Sequence, residues 1–191
     1  MRVLLGNDES VSVTIRAACV DDADAVGEVH VRAWRSAYRG VMPDGYLDGL
    51  RSEDHADRWR EHLLAPSSDA RLFVVGEDLR VVGFAAVGSA LDSDLSSEVG
   101  QLYAMNLDPG VWGRGLGRML LDFATERLGT SGFCEAVLWV VPDNRRARRL
   151  YESAGWSDDG LGREDEVFGV VVPQMRYRRR LVPLPSRQTI P

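Results

Sequence analysis

The sequence contains no lysine: all 23 of its basic residues are arginine, set against 29 acidic residues for a net charge of −6. Cysteine is nearly as scarce. Cys19 and Cys134 stand far apart, with no C-x-x-C and no histidine cluster nearby, so neither a disulfide framework nor a zinc site is indicated. Both read as small buried apolar residues. No apolar run approaches the roughly 18 residues that cross a bilayer. The first residues lack a charged-then-apolar leader, because Asn7, Asp8 and Glu9 follow Leu5 almost at once. The expectation is a cytoplasmic protein with no membrane partner. The acidic balance also argues against a nucleic-acid partner, although Arg145, Arg146, Arg148 and Arg149, and again Arg176, Arg178, Arg179 and Arg180, form local positive runs. Such a balance suits a protein that holds an anionic cofactor and attracts a cationic substrate.

What is present is enough for one substantial core: 191 residues, 45% of them hydrophobic. One domain over residues 1–191 is expected, with frayed ends at 1–10 and 183–191. Alternation predicts a strand over Val11–Arg16, and helical spacing predicts a helix from Asp21 to about Tyr38, ended by Gly40 and Pro43. A second helix is predicted from Ser52, as N-cap, to Leu64. Arg71–Gly76 and Arg80–Gly88 read as a hairpin and Ser89–Ser97 as a polar loop. Val99–Leu107 and Phe133–Val141 read as strands on either side of a helix from Arg118 to Leu128. Short strands are predicted over Glu166–Val172 and Gln174–Leu181.

Between the strand at 101–107 and that helix lies Pro109-Gly-Val-Trp-Gly-Arg-Gly-Leu-Gly117. Without Cβ atoms, Gly113, Gly115 and Gly117 let main-chain N–H groups approach an anion, and the first helical turn adds unpaired donors and its positive dipole end. Two familiar phosphate loops fail here. A G-x-G-x-x-G starting at Gly113 or Gly115 meets Arg118 or Leu120 where glycine is required, and no G-K-[ST] follows. No carboxylate pair suited to a metal follows either, which weakens the reading of a nucleotide or phosphate-ester enzyme, and no metal is expected.

The helix after Pro142 reads Asn144-Arg-Arg-Ala-Arg-Arg-Leu-Tyr-Glu-Ser-Ala-Gly-Trp156. Asn144 and Tyr151 are about two turns apart and share a face, with Ala147 between them keeping it shallow. Gly155 is well placed as the left-handed residue that ends the helix.

Taken together, P-x-x-W-G-R-G-L-G and N-x-x-A-x-x-L-Y-E-x-x-G-W at this separation resemble the GNAT superfamily of acyl-CoA-dependent N-acyltransferases. Thr14-Ile-Arg16 with Asp21-Asp22-Ala23 extends the resemblance toward the start of the chain. Ala33–Pro43, with Tyr46-Leu-Asp48 and Trp59, also looks like a common bacterial branch of that family. The resemblance implies an α/β fold, α+β by some schemes. It would have a central twisted mixed sheet of about seven strands, helices on both faces, and a splay between the fourth and fifth strands.

By the same resemblance, acetyl-CoA is the co-substrate and its pyrophosphate is held by main-chain donors of Gly113, Arg114, Gly115, Leu116, Gly117 and Arg118. The two arginines would add charge-assisted bonds. Pantetheine would lie along Met105, Asn106 and Leu107, Asn144 would bond to it or to nearby main chain, and Tyr151 would protonate the departing thiolate. Trp112 departs from the glutamine or arginine usual in relatives. The general base departs as well: relatives carry glutamate where Gln101 or Trp139 stands here, leaving Glu98 as the nearest carboxylate, with Asp92, Asp94 and a water chain as alternatives. Trp34 and Tyr38, four apart, are expected to line an acceptor pocket with Gln101. The acceptor would be a small amine or a protein N-terminus, and a homodimer is common among such relatives. A lysine-free chain would offer its own reaction no side-chain amine. The lack of glutamate at Gln101 leaves open an acyl-CoA-binding sensor without turnover.

Overall fold

The computed structural model describes residues 2–4, 12–65, 69–167 and 170–181. These divide into two compact units, Met1–Ala86 with Ala104–Leu121 and Val87–Tyr103 with Asp122–Pro191.

The first unit carries strands β1 (Arg2–Leu4), β2 (Ser12–Ala17), β3 (Arg71–Glu77) and most of β4 (Arg80–Ser89), ordered β1-β2-β3-β4. β2 runs antiparallel to both β1 and β3, with Val13 opposite Glu77 and Ala17 opposite Phe73. Val13 and Ile15 alternate inward as a half-covered strand should, whereas Leu72–Val75 of β3 are all buried. Three helices accompany these strands: α1 (Ala23–Ala37), α2 (Asp44–Gly49) and α3 (Ser52–Leu64).

α1 buries Val26, Val29, His30, Ala33 and Trp34, a stripe at helical spacing. Gly27 lies on the same side, and a Cβ there would sit 2.5 Å from Ser52 O and 2.7 Å from Ala56 N, so the absent side chain sets how closely α1 meets α3. Across this contact His30 stacks on His55 at 4.2 Å, with Phe84 5.9 Å beyond. Burial holds His30 neutral, down to about 3. The start of α1 is pinned by Asp22, which accepts from Arg16 Nη1 and Nη2 at 2.6 and 2.7 Å and from the Cys19 N–H at 2.8 Å. The bonds from Arg16 hold its carboxyl at about 2, against the burial that would raise it. Arg35, in the last turn of α1, donates to the carbonyls of Leu47, Asp48 and Leu50 and so satisfies the C-terminal end of α2.

The second unit carries the start of β5 (Val99–Leu107), then β6 (Glu135–Val140), β7 (Ser157–Val167) and β8 (Val170–Arg180), ordered β5-β6-β8-β7. β5 and β6 are parallel, Val99 opposite Glu135 and Leu102 opposite Leu138. Such a pair needs a crossover, supplied by α4 (Leu116–Thr130). β6–β8 and β8–β7 are antiparallel, giving the mixed sheet expected. α5 (Arg145–Ser153) follows β6.

Several sequence expectations change. The strands among the described residues number eight; the addition is β1, whose residues fall in the end expected to fray. The rest of the ends expected to fray, residues 1, 5–10 and 183–191, lie outside the described residues. α2 was missed because six residues with two glycines carry little helical period. Ser52 lies inside the first turn of α3 with Arg51 as cap. The last two strands are longer than predicted and Pro173 lies within β8, not at a break. Of β8, β6 meets only Met175–Arg180, so Pro173, opposite Glu164 of β7, gives up no bond to β6. Cys19 and Cys134 are exposed, not buried. The first sits at the turn before α1, its thiol 3.3 Å from Asp22 Oδ2, and the second precedes β6, its main chain bonded to Glu98 and Leu181. The basic runs are locally compensated as well: Arg176 pairs with Asp159 and Asp94, Arg178 with Glu135, and Arg148 with Glu152.

Candidate functional site

In the first unit, Met105, Asn106 and Leu107 end β5, and the chain then turns through Asp108. The Asp108 carboxylate is buried and accepts from Gly110 N–H and Arg32 Nε, each at 2.9 Å, and from Arg80 Nη2. Burial alone would raise this carboxyl; the Gly110 N–H and the two guanidinium groups outweigh it and hold it below the usual range. Its N–H donates to Val82 O, so the turn is fixed from both ends. Trp112 continues the brace, its indole N–H donating to Leu107 O at 2.9 Å.

Gly113 and Gly115 then adopt φ of +80° and +84°, the left-handed region closed to most side chains. A Cβ on either would meet nothing within 4 Å, so dihedral angle, not space, requires glycine there. Left-handed residues at 113 and 115, with α4 opening at Leu116, are the backbone pattern from which an anion nest is made. Leu116 and Leu120 anchor the first turn of α4 in the core. Gly117 and Arg118 lie in that turn. Arg114, expected to meet phosphate, forms a two-pronged ion pair with Glu77 at the end of β3.

In the second unit, Asn144 is the N-cap of α5: its Oδ1 accepts from Ala147 N–H at 3.1 Å, so this oxygen serves the helix's own main chain. At the other end Gly155 has φ +80°, with Gly155 N–H donating to Glu152 O and Trp156 N–H to Tyr151 O, the paired bonds of a glycine-capped helix. Tyr151 is buried, its ring 6.3 Å from Tyr177 and 6.5 Å from Trp156. The Tyr177 hydroxyl accepts from Arg148 Nε at 3.0 Å and donates to Glu152 Oε1 at 2.7 Å. These residues bracket Tyr151 on the helix, so β8 sets the helix's rotation.

Also in this unit, Gln101 is buried and its Oε1 accepts from Leu91 N–H at 3.0 Å. Glu98 is exposed, just outside β5. Asp92 and Asp94, the alternative bases, are ion-paired: Asp92 with Arg163 and Arg176, Asp94 with Arg176. Trp139 donates to Asp92. In the first unit Trp34 is a core residue, its ring 5.1 Å from His30 and 5.0 Å from the half-buried Tyr38. Glu77, Asp108, Arg163 and Tyr177 were missed by sequence reasoning, since each has at least one partner 25 or more positions away along the chain.

A family model described as "Acetyltransferase (GNAT) family" matches residues 28–156. The uncharacterized N-acetyltransferase YuaI of Bacillus subtilis (strain 168) is 32% identical over 133 residues, 69% of this chain and 73% of that protein. A mycothiol acetyltransferase of Nocardioides sp. is 31% identical over 151 residues, 76% of this chain but only 50% of that protein, so the chain spans half of that relative's length. Among solved structures, the PaiA N-acetyltransferase from Thermoplasma acidophilum in complex with coenzyme A shares the fold, with a TM-score of 0.69, 18% identity, and 88% and 99% of the two chains covered.

Proposed function

Given that this chain belongs to the acetyltransferase (GNAT) family, we propose that it transfers an acetyl group from acetyl-CoA to a primary amine, of a small molecule or a protein N-terminus, by direct attack on the thioester. The observation that carries this is the left-handed pair Gly113 and Gly115 opening α4 after the end of β5. A loop of that shape offers main-chain donors to a diphosphate without needing lysine. That PaiA is described in complex with coenzyme A supports the choice of anion.

In this reading the N–H groups from Gly113 to Arg118 hold the diphosphate, Arg114 and Arg118 add charge, and Met105–Leu107 offer main-chain groups to pantetheine. An amine with a reference pKa of about 10 arrives mostly as ammonium and must lose a proton. Gln101 cannot take it, so it leaves through Glu98, which is exposed to solvent, or through water. The neutral amine attacks the carbonyl, the oxyanion is met by a main-chain N–H near Leu107, and collapse expels the thiolate. Tyr151 gives that thiolate its proton: a phenol of pKa about 10 serves a leaving group near 8.5.

The test pairs calorimetry of coenzyme A with thiol release over a panel of amines. Tyr151→Phe is expected to lower kcat by about 10- to 100-fold, the lower reach of general acid catalysis and below, while coenzyme A affinity stays within twofold. An unchanged rate removes Tyr151 from the mechanism. Binding without thiol release for any amine would favour an acyl-CoA sensor, for which Gln101 in place of a base is the observation.

A further inference from the structure

Trp139 of β6 carries a guanidinium over its ring: the Arg163 carbon lies 4.0 Å from the centroid. The indole N–H donates to Asp92 Oδ2 at 2.9 Å, and the other oxygen of the same carboxylate accepts from Arg163 Nη1 at 3.2 Å. Arg163 Nη2 donates to Asp165 Oδ2 at 2.9 Å and its Nε to Gln174 Oε1 at 3.0 Å. An aromatic ring beneath, two carboxylates and an amide at the edge are the elements that receive a planar cation from solution. Here the occupant is supplied by the chain itself.

Arg176, on the neighbouring strand, also touches this cluster, 3.5 Å from Asp92 and 5.6 Å from the Trp139 ring centroid, but is committed to the fold. Its side chain is 3% exposed and its bonds to Asp159 and Asp94, at 2.7 and 2.9 Å, hold the surrounding loop and strand together. Arg163 is 36% exposed, and it stands on β7, the strand with a register shift between Asp158 and Gly162. The seat also adjoins the residue assigned to the acceptor: Leu91, next to Asp92 in the chain, gives its N–H to Gln101.

The geometry points to Arg163 as a specificity-determining residue. It fills with its own guanidinium the cation seat formed by Trp139, Asp92 and Asp165, and it turns away acceptors that carry a second cationic group, such as diamines, polyamines and guanidino amines. The favoured acceptor is then a monoamine whose remainder is uncharged. This inference rests on the acetyl-transfer reading and on Gln101 facing the acceptor. A second cation approaching that face meets a positive charge where the seat without Arg163 would offer Asp165 and an Asp92 whose remaining cationic partner is Arg176, at 3.5 Å.

The experiment compares wild type, Arg163→Ala and Arg163→Lys in acetylation of a neutral-tailed monoamine, a diamine and a guanidino amine. Wild type is expected to prefer the monoamine. In Arg163→Ala the KM for the diamine and the guanidino amine falls at least tenfold, while the KM for acetyl-CoA and for the monoamine stays within twofold. Arg163→Lys, which keeps the charge, keeps the wild-type preference. A second arm needs no turnover: methylguanidinium, which has no acceptor amine, raises the melting temperature of Arg163→Ala and leaves wild type unchanged. If the alanine variant does not fold, Arg163→Gln takes its place in both arms. A folded Arg163→Ala or Arg163→Gln that keeps the wild-type acceptor ranking and ignores methylguanidinium overturns the proposal, as does a wild type that acetylates diamines as readily as the monoamine. Failure of all variants to bind coenzyme A would instead bring down the acetyl-transfer reading, and the methylguanidinium arm would still decide whether the seat exists.

Discussion

Substitutions at Gly115 separate two reasons for a glycine that usually act together. A Cβ there meets nothing within 4 Å, so for alanine bulk is not at issue and only φ of +84° matters. Holding alanine in the left-handed region costs about 1–2 kcal/mol, and the stiffer unfolded chain returns about 0.4–1 kcal/mol. The net loss of about 1 kcal/mol lowers the melting temperature by about 2–4 °C in a chain of this size. The alternative open to the variant is to relax to negative φ, which swings the peptide N–H out of the nest. Losing one charge-assisted bond to the diphosphate would cost about 1.5–3 kcal/mol, or roughly 10- to 150-fold in affinity. Asparagine tolerates the left-handed region and valine does not. Coenzyme A affinity, measured by calorimetry on protein shown to be folded, is therefore expected to fall in the order glycine, asparagine, alanine, valine. A folded Gly115→Val that binds coenzyme A like wild type would refute the nest.

Gly27→Ala forces a Cβ against main-chain atoms of Ser52 and Ala56. Overpacking of about 1–3 kcal/mol there exceeds the gain of at most about 1 kcal/mol from alanine's helix preference, and a fall of several degrees in melting temperature is the outcome to look for. Glu77→Gln releases Arg114 from its carboxylate; coenzyme A affinity should rise about two- to fivefold, as expected of one partly exposed charge pair worth under about 1 kcal/mol, and become more sensitive to salt. His30 is neutral in the folded protein down to about pH 3 but takes up a proton below about 6.5 once unfolded. Its contribution to stability is complete above pH 6.5 and is lost as pH falls toward 3, at up to about 1.4 kcal/mol per unit. His30 should make urea unfolding at pH 7.5 and 5.5 differ by about 1.4 kcal/mol, and His30→Leu should shrink the difference, the part due to His55, whose pKa burial also lowers, remaining.

The parts of this molecule that were legible in the sequence are those encoded over short spans. Gly113 and Gly115 announce a strand-to-helix turn by spacing alone, and Gly155 announces a helix end because few other residues adopt its φ. The stripe on α1 was equally plain. What escaped was set by partners distant along the chain. Trp34 and Tyr38 are four apart on a helix, a spacing that fits a pocket wall or a core alike, and only the burial of Trp34 with the His30 ring beside it puts that indole in the core. Pro173 reads as a break unless one knows that β6 stops two residues short of it. The runs of arginine resemble an exposed positive surface until Asp159, Glu135 and Glu152 are found opposite them. Asp108 gives no local hint that it gathers Arg32 and Arg80 beneath the glycine loop.

The phenol of Tyr177, held between Arg148 and Glu152, makes the azimuth of α5 depend on a strand translated after it. Both recognisable motifs are complete by Trp156, yet a nascent chain at that point lacks the lever that sets the rotation of the helix carrying Tyr151. A product ending before β8 would keep every signature by which the family is identified and would still lack the contacts that fix the bearing of Tyr151.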